Sequence, residues 1–193
     1  MEIFGLSVFD LSGTIIAIIS VVFMVKKSMW YWYLSIVCNI LWCILFLNNS
    51  IYISAGLQVT YILFSIYGIT RWLLEKRNKQ IPKYLEYTGG TIALLILLIA
   101  IVNTKFTNIY NFLELCAICL LVVANWLTAK KINSCWYFWM IGDAVFAVFL
   151  YNKAIYATFF TQIVFCILSV WGLWEWKSTE RNSKIDSREV EIK

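Results

Sequence analysis

Residues 26–72 read KKSMWYWYLSIVCNILWCILFLNNSIYISAGLQVTYILFSIYGITRW, and residues 130–176 read KKINSCWYFWMIGDAVFAVFLYNKAIYATFFTQIVFCILSVWGLWEW. A shift of 104 positions aligns the two stretches without a gap and makes 11 of their 47 residue pairs identical. A chain rich in Leu and Ile would match itself by accident mostly at aliphatic residues, yet only one identical pair is aliphatic. The identical pairs are Lys26/Lys130, Lys27/Lys131, Trp32/Trp136, Tyr33/Tyr137, Asn48/Asn152, Ile51/Ile155, Tyr52/Tyr156, Gln58/Gln162, Ser65/Ser169, Gly68/Gly172 and Trp72/Trp176. The chain is therefore predicted to contain two repeated units around a common centre.

The composition predicts an integral membrane protein. Hydrophobic residues make up 62% of the 193 residues and charged residues only 14%. A single soluble core could not bury so much apolar surface, so the excess must face lipid. The formal net charge of +5 does not indicate a nucleic-acid partner, because the basic residues fall in loops and the C-terminal tail, where membrane orientation places them.

Apolar runs between polar clusters predict an all-α protein with seven transmembrane helices. Repeat 1 occupies residues 11–74, a linking helix occupies 87–102, and repeat 2 occupies 109–176. An extracytoplasmic N-terminus at 1–10, a cytoplasmic loop at 75–86 and a cytoplasmic tail at 177–193 complete the chain, and the mixed charge of residues 178–193 predicts a disordered or loosely surface-bound tail. The predicted spans are Leu11–Val25, Trp30–Leu47, Tyr52–Leu74, Tyr87–Val102, Ile109–Thr128, Trp136–Tyr151 and Ile155–Trp176.

The distribution of Lys and Arg predicts the orientation. Alternating spans place fourteen basic residues on one side and only Lys105 and Lys153 on the other. The basic side is cytoplasmic by the positive-inside rule, so the N-terminus lies outside and the C-terminus inside. The Lys26-Lys27 pair and its repeat partner should both be cytoplasmic, which requires one extra crossing between the repeats. The prediction is therefore a three-plus-one-plus-three parallel repeat in the cytoplasmic (inner) membrane.

The residue types argue against an enzyme and against a metal or cofactor site. The chain contains no histidine, which is the usual general base and the commonest nitrogen ligand of metals. Its single CxxC, Cys116 to Cys119, lies inside an apolar span, where thiols pack as small hydrophobic groups. A non-transporting scaffold or sensor remains an alternative to a transporter, because membrane amides also bridge helices.

Polar side chains inside the predicted spans indicate a wet cavity between the repeats. Asn39 and Asp143 are repeat partners near the middle of their helices, and Gln58 and Gln162 are partners nearer the outer end. Glu114 lies at a similar outer depth. Helical spacing places aromatic residues beside these groups, namely Trp42, Tyr61, Trp136 and Trp139. Flat aromatic walls with amides and a carboxylate suit a planar polar or cationic ring.

Several of these residues also resemble a known family. The run Leu57-Gln58, Tyr61, Tyr67-Gly68 and Trp72 is similar to the third helix of the PnuC vitamin transporters, and residues 136–139 (WYFW) resemble the family's WxxW segment. Gln162, Gly172 and Trp176 repeat the pattern. The resemblance covers roughly residues 11–176 and implies a SWEET-like fold, a homotrimer and facilitated diffusion of a vitamin that is phosphorylated inside the cell.

The resemblance also implies site residues and a substrate class. By matching position it implies that Trp32, Asn39, Gln58, Tyr61, Trp136, Trp139, Asp143 and Gln162 bind substrate, whereas Trp42 and Glu114 come from the residues alone. Nicotinamide riboside, a precursor for NAD biosynthesis, is the first expectation, followed by thiamine and then riboflavin. Proton-coupled transport through Asp143 or Glu114 stays open as another mechanism.

Overall fold

Seven helices form the body of the protein in the computed structural model, which describes residues 2–3, 6–103 and 108–191. They are α1 (Val8–Val25), α2 (Trp30–Asn48), α3 (Tyr52–Lys76), α4 (Lys83–Asn103), α5 (Ile109–Ala129), α6 (Cys135–Asn152) and α7 (Tyr156–Glu191). Ahead of α1, two-residue strands β1 (Glu2–Ile3) and β2 (Leu6–Ser7) pair antiparallel. The number and order of the helices agree with the prediction. Lys105, on which the orientation partly depended, lies outside the described residues, as do Met1, Phe4, Gly5 and residues 104, 106, 107, 192 and 193.

The C-terminal tail differs from the prediction. Residues 178–191 were expected to be disordered or loosely bound, but α7 continues through them to Glu191. The apolar first part of α7 has already formed the helical nucleus, so each further residue adds a backbone hydrogen bond at little cost. Composition alone therefore misjudged a segment that follows directly on a long packed helix.

Four helices are long and apolar enough to cross a membrane, judged by length and composition over the described part of the chain. They are Trp30–Asn48, Tyr52–Lys76, Ile109–Ala129 and Tyr156–Asn182, and the shorter Leu11–Val25 is also apolar. Helix α6 is not among them, because Asp143 and its Trp and Tyr residues lower its mean hydropathy. An α-helical multi-pass membrane protein is thus confirmed, whereas seven crossings stay a prediction.

The helix-connecting turns repeat at the same 104-residue spacing. Lys27 and Lys131 have φ of 50° and 55°, and Ser50 and Ala154 both have φ of 57°. Each of these residues closes its helix with the same two backbone hydrogen bonds; for example, Lys27 N–H donates to Met24 O and Ser28 N–H to Phe23 O. This left-handed residue after the last turn is the Schellman cap, here formed without glycine. Equivalent turns therefore give consecutive helices the same reversal in both halves.

The helices contact one another in a closed order. Helix α1 packs on α2, α2 on α3, α3 on α5, α5 on α6, α6 on α7 and α7 again on α1. Helix α4 packs on α3 and α5, outside this ring. The contacts α3–α5 and α7–α1 occupy equivalent positions in the two repeats, and both join one repeat to the other. The ring therefore leaves a central space that every one of its six helices can line.

Two tryptophan pairs join the repeats at one end of the helix bundle. Trp32 meets Trp72 edge-on at 5.4 Å between ring centroids, and Trp136 meets Trp176 in the same way at 5.3 Å. The indole N–H of Trp72 donates to Ala129 O, and that of Trp176 donates to Val25 O, both at 3.0 Å. These bonds reach from each repeat to the turn of the other, and we call this end of the bundle the lysine end.

Two glycines make the tryptophan pairs possible. A Cβ on Gly68 would overlap the Trp32 ring, and a Cβ on Gly172 would overlap the Trp136 ring. Both glycines are identical between the repeats. Their role is the close approach of a flat ring to helix backbone.

Helix α4 is attached to the ring by ion pairs and by a glycine contact. Glu86 binds Arg71 on α3 and Lys130 after α5. Gly89 brings α4 close to Tyr67 and Trp126, whose rings lie 2.8 and 3.0 Å from the position that a Cβ would take. The first turn of α4 thus bridges the two repeats at the lysine end.

Candidate functional site

A cavity lies in the middle of the ring and is lined by residues from all six of its helices. It holds about 460 Å³ of empty space, counting the space at its mouth. Its lining consists of Ser20, Val21, Met24, Tyr31, Ser35, Cys38, Asn39, Trp42, Tyr61, Asn125, Trp139, Asp143, Phe165 and Ser169.

Aromatic rings form opposite parts of the cavity wall. Tyr61 and Trp139 lie 6.0 Å apart between ring centroids, and Trp42 and Phe165 lie 6.3 Å apart. The Trp139 indole is fixed by an N–H donated to Thr128 Oγ1 at 2.9 Å. Trp42 packs against α1 only because residue 13 is glycine, where a Cβ would lie 2.8 Å from the indole. These rings can hold the faces of a planar ligand.

Four polar atoms in the cavity wall are buried without a hydrogen-bond partner in the part of the chain that the structure describes. They are Asp143 Oδ2, Asn125 Oδ1, the Tyr61 hydroxyl and Trp42 Nε1. Such atoms are rare because each loses the hydrogen bonds that water would have made. All four belong to residues that line the cavity, so a ligand or water molecules inside it would satisfy them.

The cavity lining contains an acidic side chain and, among the described residues, no basic one. Asp143 is only 2% exposed and is the one carboxylate among the lining residues, and no lysine or arginine of the described chain lines it. Asn39, its repeat partner, donates to Ser35 Oγ at 3.1 Å. A buried carboxylate without a cationic neighbour is costly unless a proton or a positively charged ligand neutralises it. The cavity therefore suits a cation better than an anion.

Five of the ten residues singled out from the sequence line this cavity. They are Asn39, Trp42, Tyr61, Trp139 and Asp143. The structure brings them together from three helices, α2, α3 and α6, although Asn39 and Asp143 lie 104 residues apart in the chain. Their common feature in the sequence was polarity, or an aromatic ring, at mid-helix depth.

Three other predicted residues are buried away from the lining of the cavity, in the half of the bundle opposite the lysine end. Glu114 on α5 accepts a hydrogen bond from Ser54 on α3 at 2.5 Å. Gln58 lies one turn after Ser54, and its Oε1 has no partner among the described residues. Gln162 is 3% exposed and follows Thr161, whose hydroxyl is hydrogen-bonded to Thr14 at 2.9 Å. The Ser54–Glu114 and Thr14–Thr161 hydrogen bonds join helices of different repeats.

The remaining two predicted residues, Trp32 and Trp136, belong to the tryptophan pairs at the lysine end. Both are fully buried against glycine, and neither indole N–H has a partner in the described residues. In this structure they lie at the lysine end and do not line the cavity.

The sequence interpretation missed several polar lining residues. Tyr31 and Ser35 precede Asn39 by two turns and one turn on the same face of α2, so helical spacing could have identified them. Ser169 is one of the identical repeat pairs. Asn125 is an amide inside an apolar helix, which is itself a signal. It lies outside residues 130–176, over which the repeats were compared, and Val21 stands 104 residues before it.

Comparisons with known proteins identify the family. The family model described as nicotinamide mononucleotide transporter matches residues 7–178. No curated protein and no solved structure matches the chain. The matched region contains both repeats, the linking helix and every residue of the cavity. The chain therefore belongs to the nicotinamide mononucleotide transporter (PnuC) family and is a multi-pass membrane transporter for a vitamin or nucleotide precursor.

Proposed function

We propose that the protein imports an aromatic, positively charged vitamin precursor, nicotinamide riboside first, by facilitated diffusion through the central cavity. The observation that carries this proposal is a set of four polar atoms without a hydrogen-bond partner among the described residues. They lie in an aromatic cavity whose described lining contains one acidic side chain, Asp143, and no basic one. The pyridinium ring of nicotinamide riboside is flat and cationic, and its amide and ribose hydroxyls can donate and accept hydrogen bonds. Nicotinamide riboside thus matches the aromatic wall of the cavity, the acidic side chain of Asp143 and the unpartnered polar atoms.

The charge of the cavity favours the nucleoside over the nucleotide in the family's name. A nucleotide carries a phosphate with about two negative charges, and phosphate is bound in proteins by Arg, Lys or backbone N–H groups. None of the described lining residues is basic, and Asp143 would repel the phosphate. We therefore place nicotinamide riboside ahead of nicotinamide mononucleotide.

Thiamine is the closest alternative, because it also contains a flat cationic ring. Asp143 and the aromatic walls would suit it equally well, whereas its pyrimidine would need different hydrogen-bond partners from a ribose. Riboflavin is neutral and larger, so it gains nothing from the carboxylate. Both stay alternatives to nicotinamide riboside.

We further propose the three-plus-one-plus-three parallel, SWEET-like repeat as the architecture, with α4 as the linking crossing. It is supported by the turns, tryptophan pairs and glycine contacts that recur 104 residues apart. The lysine end would face the cytoplasm, with the N-terminus outside, since most basic residues lie on that side. A homotrimer is retained from the family resemblance.

The predicted residues outside the cavity lining are proposed to meet the substrate in other conformations. Gln58, Glu114 and Gln162 would lie along the outer half of the path, and Trp32 and Trp136 would lie at its cytoplasmic exit. A carrier that opens to alternate sides exposes different residues in turn, so one conformation need not place all of them around the ligand.

A proton-coupled mechanism is the second candidate, and Asp143 favours it. A buried carboxyl group with no basic residue of the described lining beside it can be neutralised by a proton as well as by a cationic substrate. Uptake into proteoliposomes with and without a pH gradient separates the two mechanisms. Accumulation of substrate above its external concentration, only when a proton gradient is imposed, would replace facilitated diffusion with coupling.

Calorimetric titration of the purified protein tests the proposed substrate. Nicotinamide riboside, thiamine, riboflavin and nicotinamide mononucleotide are titrated in parallel into the wild type and Asp143→Asn. We expect nicotinamide riboside to bind most tightly and to lose affinity in Asp143→Asn, because the variant keeps the shape and removes the charge. Tightest binding of the nucleotide, or equal affinity of the two proteins for the cation, would contradict the proposal.

A further inference from the structure

The lysine end carries a positively charged cleft that is separate from the central cavity. We call it the lysine cleft, and it is lined by Lys27, Met29, Trp72, Glu75, Lys76 and Lys131. None of these residues lines the central cavity. Three lysines and one glutamate give the cleft an excess of positive charge, the opposite of the cavity above it.

The one carboxylate in the lysine cleft is already engaged. Glu75 binds Lys131 and also lies 3.7 Å from Nε of Arg71. Lys27 has no carboxylate within ion-pair distance among the described residues, and the acidic side chain on its other side, Glu180, accepts a hydrogen bond from Asn133. Glu75 and Glu180 therefore offset part of the positive charge of the cleft, and Lys27 and Lys76 leave it with a net positive charge.

The two central lysines are held in place. Lys27 lies with its ammonium 4.8 Å from the ring centroid of Trp176, and Lys131 lies at the same distance from Trp72. Each also occupies the left-handed position of its turn. Burial lowers the pKa of Lys27 from its ordinary value, and the positive charge of Lys131 lowers it further, while Glu180 opposes the shift. Two like charges kept close in this way favour an anion between them.

Helix geometry adds to the attraction for an anion. Met29 precedes the first residue of α2 and lines the lysine cleft. The N-terminus of a helix carries a partial positive charge that attracts an anion, whereas the first N–H groups of α2 already donate to Ser28 and Met29. This contribution adds to the lysines and does not replace them.

We propose that the lysine cleft binds a phosphate group through Lys27, Lys76 and Lys131. Lys27 belongs to the turn of repeat 1 and Lys131 to the turn of repeat 2, so one phosphate would join the two repeats. It would hold the lysine end closed and slow the release of substrate on that side. The phosphate could come from a soluble phosphate monoester or from an anionic lipid headgroup, which share this chemistry. The effect on release rests on the proposed transport function, whereas the binding does not.

Binding is tested by the melting temperature of the purified protein in sodium phosphate, in adenosine monophosphate, and in sodium chloride of equal ionic strength. The test variant is Lys27→Gln/Lys131→Gln. The matched control is Lys26→Gln/Lys130→Gln, which removes the same charge from adjacent, repeat-equivalent residues that already pair with Glu175 and Glu86. Nanodiscs with and without phosphatidylglycerol supply the lipid arm.

We expect phosphate or adenosine monophosphate to raise the melting temperature of the wild type and the control, and to bind the test variant about tenfold more weakly, the loss expected for charge-assisted contacts. The same pattern with phosphatidylglycerol alone would identify a lipid as the source. Equal losses in both double variants, a shift reproduced by chloride, or no shift in either arm would overturn the proposal. The single variant Lys27→Gln, which leaves the Lys131–Glu75 pair intact, gives the same test if the double variant does not fold.

Transport supplies an independent readout. Adenosine monophosphate enclosed in proteoliposomes should slow the initial uptake of nicotinamide riboside severalfold in wild type and in the control variant, but not in Lys27→Gln/Lys131→Gln. Uptake that is insensitive to the enclosed nucleotide in all three proteins would contradict the link to release. If no vitamin is transported at all, the binding measurements still decide whether the phosphate site exists.

Discussion

The lysine end and the central cavity treat the internal repeat in opposite ways. At the lysine end the repeats are close copies, since each contributes one tryptophan pair, one glycine contact and one left-handed lysine. At the cavity three pairs of equivalent lining positions differ, since Asn39 corresponds to Asp143, Tyr61 to Phe165, and Val21 to Asn125, whereas the lining residue Ser169 is identical to Ser65. Identical residues suit a contact that each repeat makes with the other in the same way. Different parts suit a ligand that has no symmetry of its own.

The largest expected effect comes from disrupting the tryptophan–glycine contacts at the lysine end. Gly68→Ala and Gly172→Ala should each lower the free energy of unfolding by about 1–3 kcal/mol, because the new Cβ overlaps a rigid indole in a packed core. Thermal unfolding followed by tryptophan fluorescence measures the loss.

Gly56→Ala is the control for the glycine variants. Gly56 lies on α3, as Gly68 does, and no atom lies within 4 Å of the position that a Cβ would take. It should be neutral or slightly stabilising, since alanine is the better helix former. Losses that differ widely between Gly68→Ala and Gly172→Ala would show that the two tryptophan pairs do not stabilise the fold equally.

The next largest effect is expected from replacing the acidic side chain of Asp143 by the amide that its repeat partner Asn39 carries. Asp143→Asn makes the two repeats alike at this position and should weaken binding of nicotinamide riboside by about 10- to 100-fold, the range for a lost buried charge contact. Riboflavin, which is neutral, should bind as before. Glu175→Gln removes a carboxylate at the lysine end and serves as control.

An exchange of the two residues sharpens the same comparison. Asn39→Asp/Asp143→Asn moves the charge to the other repeat while the composition of the cavity stays the same. Partial recovery of affinity relative to Asp143→Asn would mean that the ligand can reverse its orientation between the repeats. Affinity as low as that of Asp143→Asn would mean that the other lining residues fix the orientation.

A smaller effect is expected from the hydroxyl of Tyr61. Tyr61→Phe copies the phenylalanine of repeat 2 and should weaken binding by about two- to tenfold, the value of one neutral hydrogen bond. Calorimetry on this variant and on Phe165→Tyr measures the difference. If Tyr61→Phe binds as tightly as wild type, its buried hydroxyl is satisfied by water in the complex.

The smallest effect concerns the turns opposite the lysine end. Ser50→Gly and Ala154→Gly place glycine at a φ of 57°, which other residues adopt at a cost, so each should stabilise the fold by up to about 1 kcal/mol. Melting temperatures compare the two. The control is Ala157→Gly, inside α7, which should destabilise by a similar amount.

The helices were largely predictable because lipid imposes a simple rule: every span must be apolar and satisfy its own backbone. The starts of α2, α3 and α5 were predicted to the residue. Helix α4 begins four residues earlier than expected, at Lys83, directly after Pro82. Its polar first turn looked like loop in the sequence, but Glu86 is bound by Arg71 and Lys130 and therefore belongs to the packed structure.

The site was less predictable. Polarity in an apolar span identified Asn39 and Asp143, and both line the cavity. Trp32 and Trp136 carried an equally strong signal as identical repeat partners, yet the structure places them against glycines at the lysine end. Repetition marks residues that both halves need for packing. It therefore identifies the tryptophan pairs of the lysine end better than it identifies the residues of the proposed binding cavity.

From the sequence alone follow the membrane, the repeat, the helices and the presence of a buried carboxylate, because hydropathy and periodicity are properties of neighbouring residues. Only the tertiary structure decided which of the marked side chains share the cavity and that Lys27 and Lys131 border one cleft. The reason is geometric. Both the cavity and the cleft depend on how helices that are far apart in the chain rotate and pack against one another.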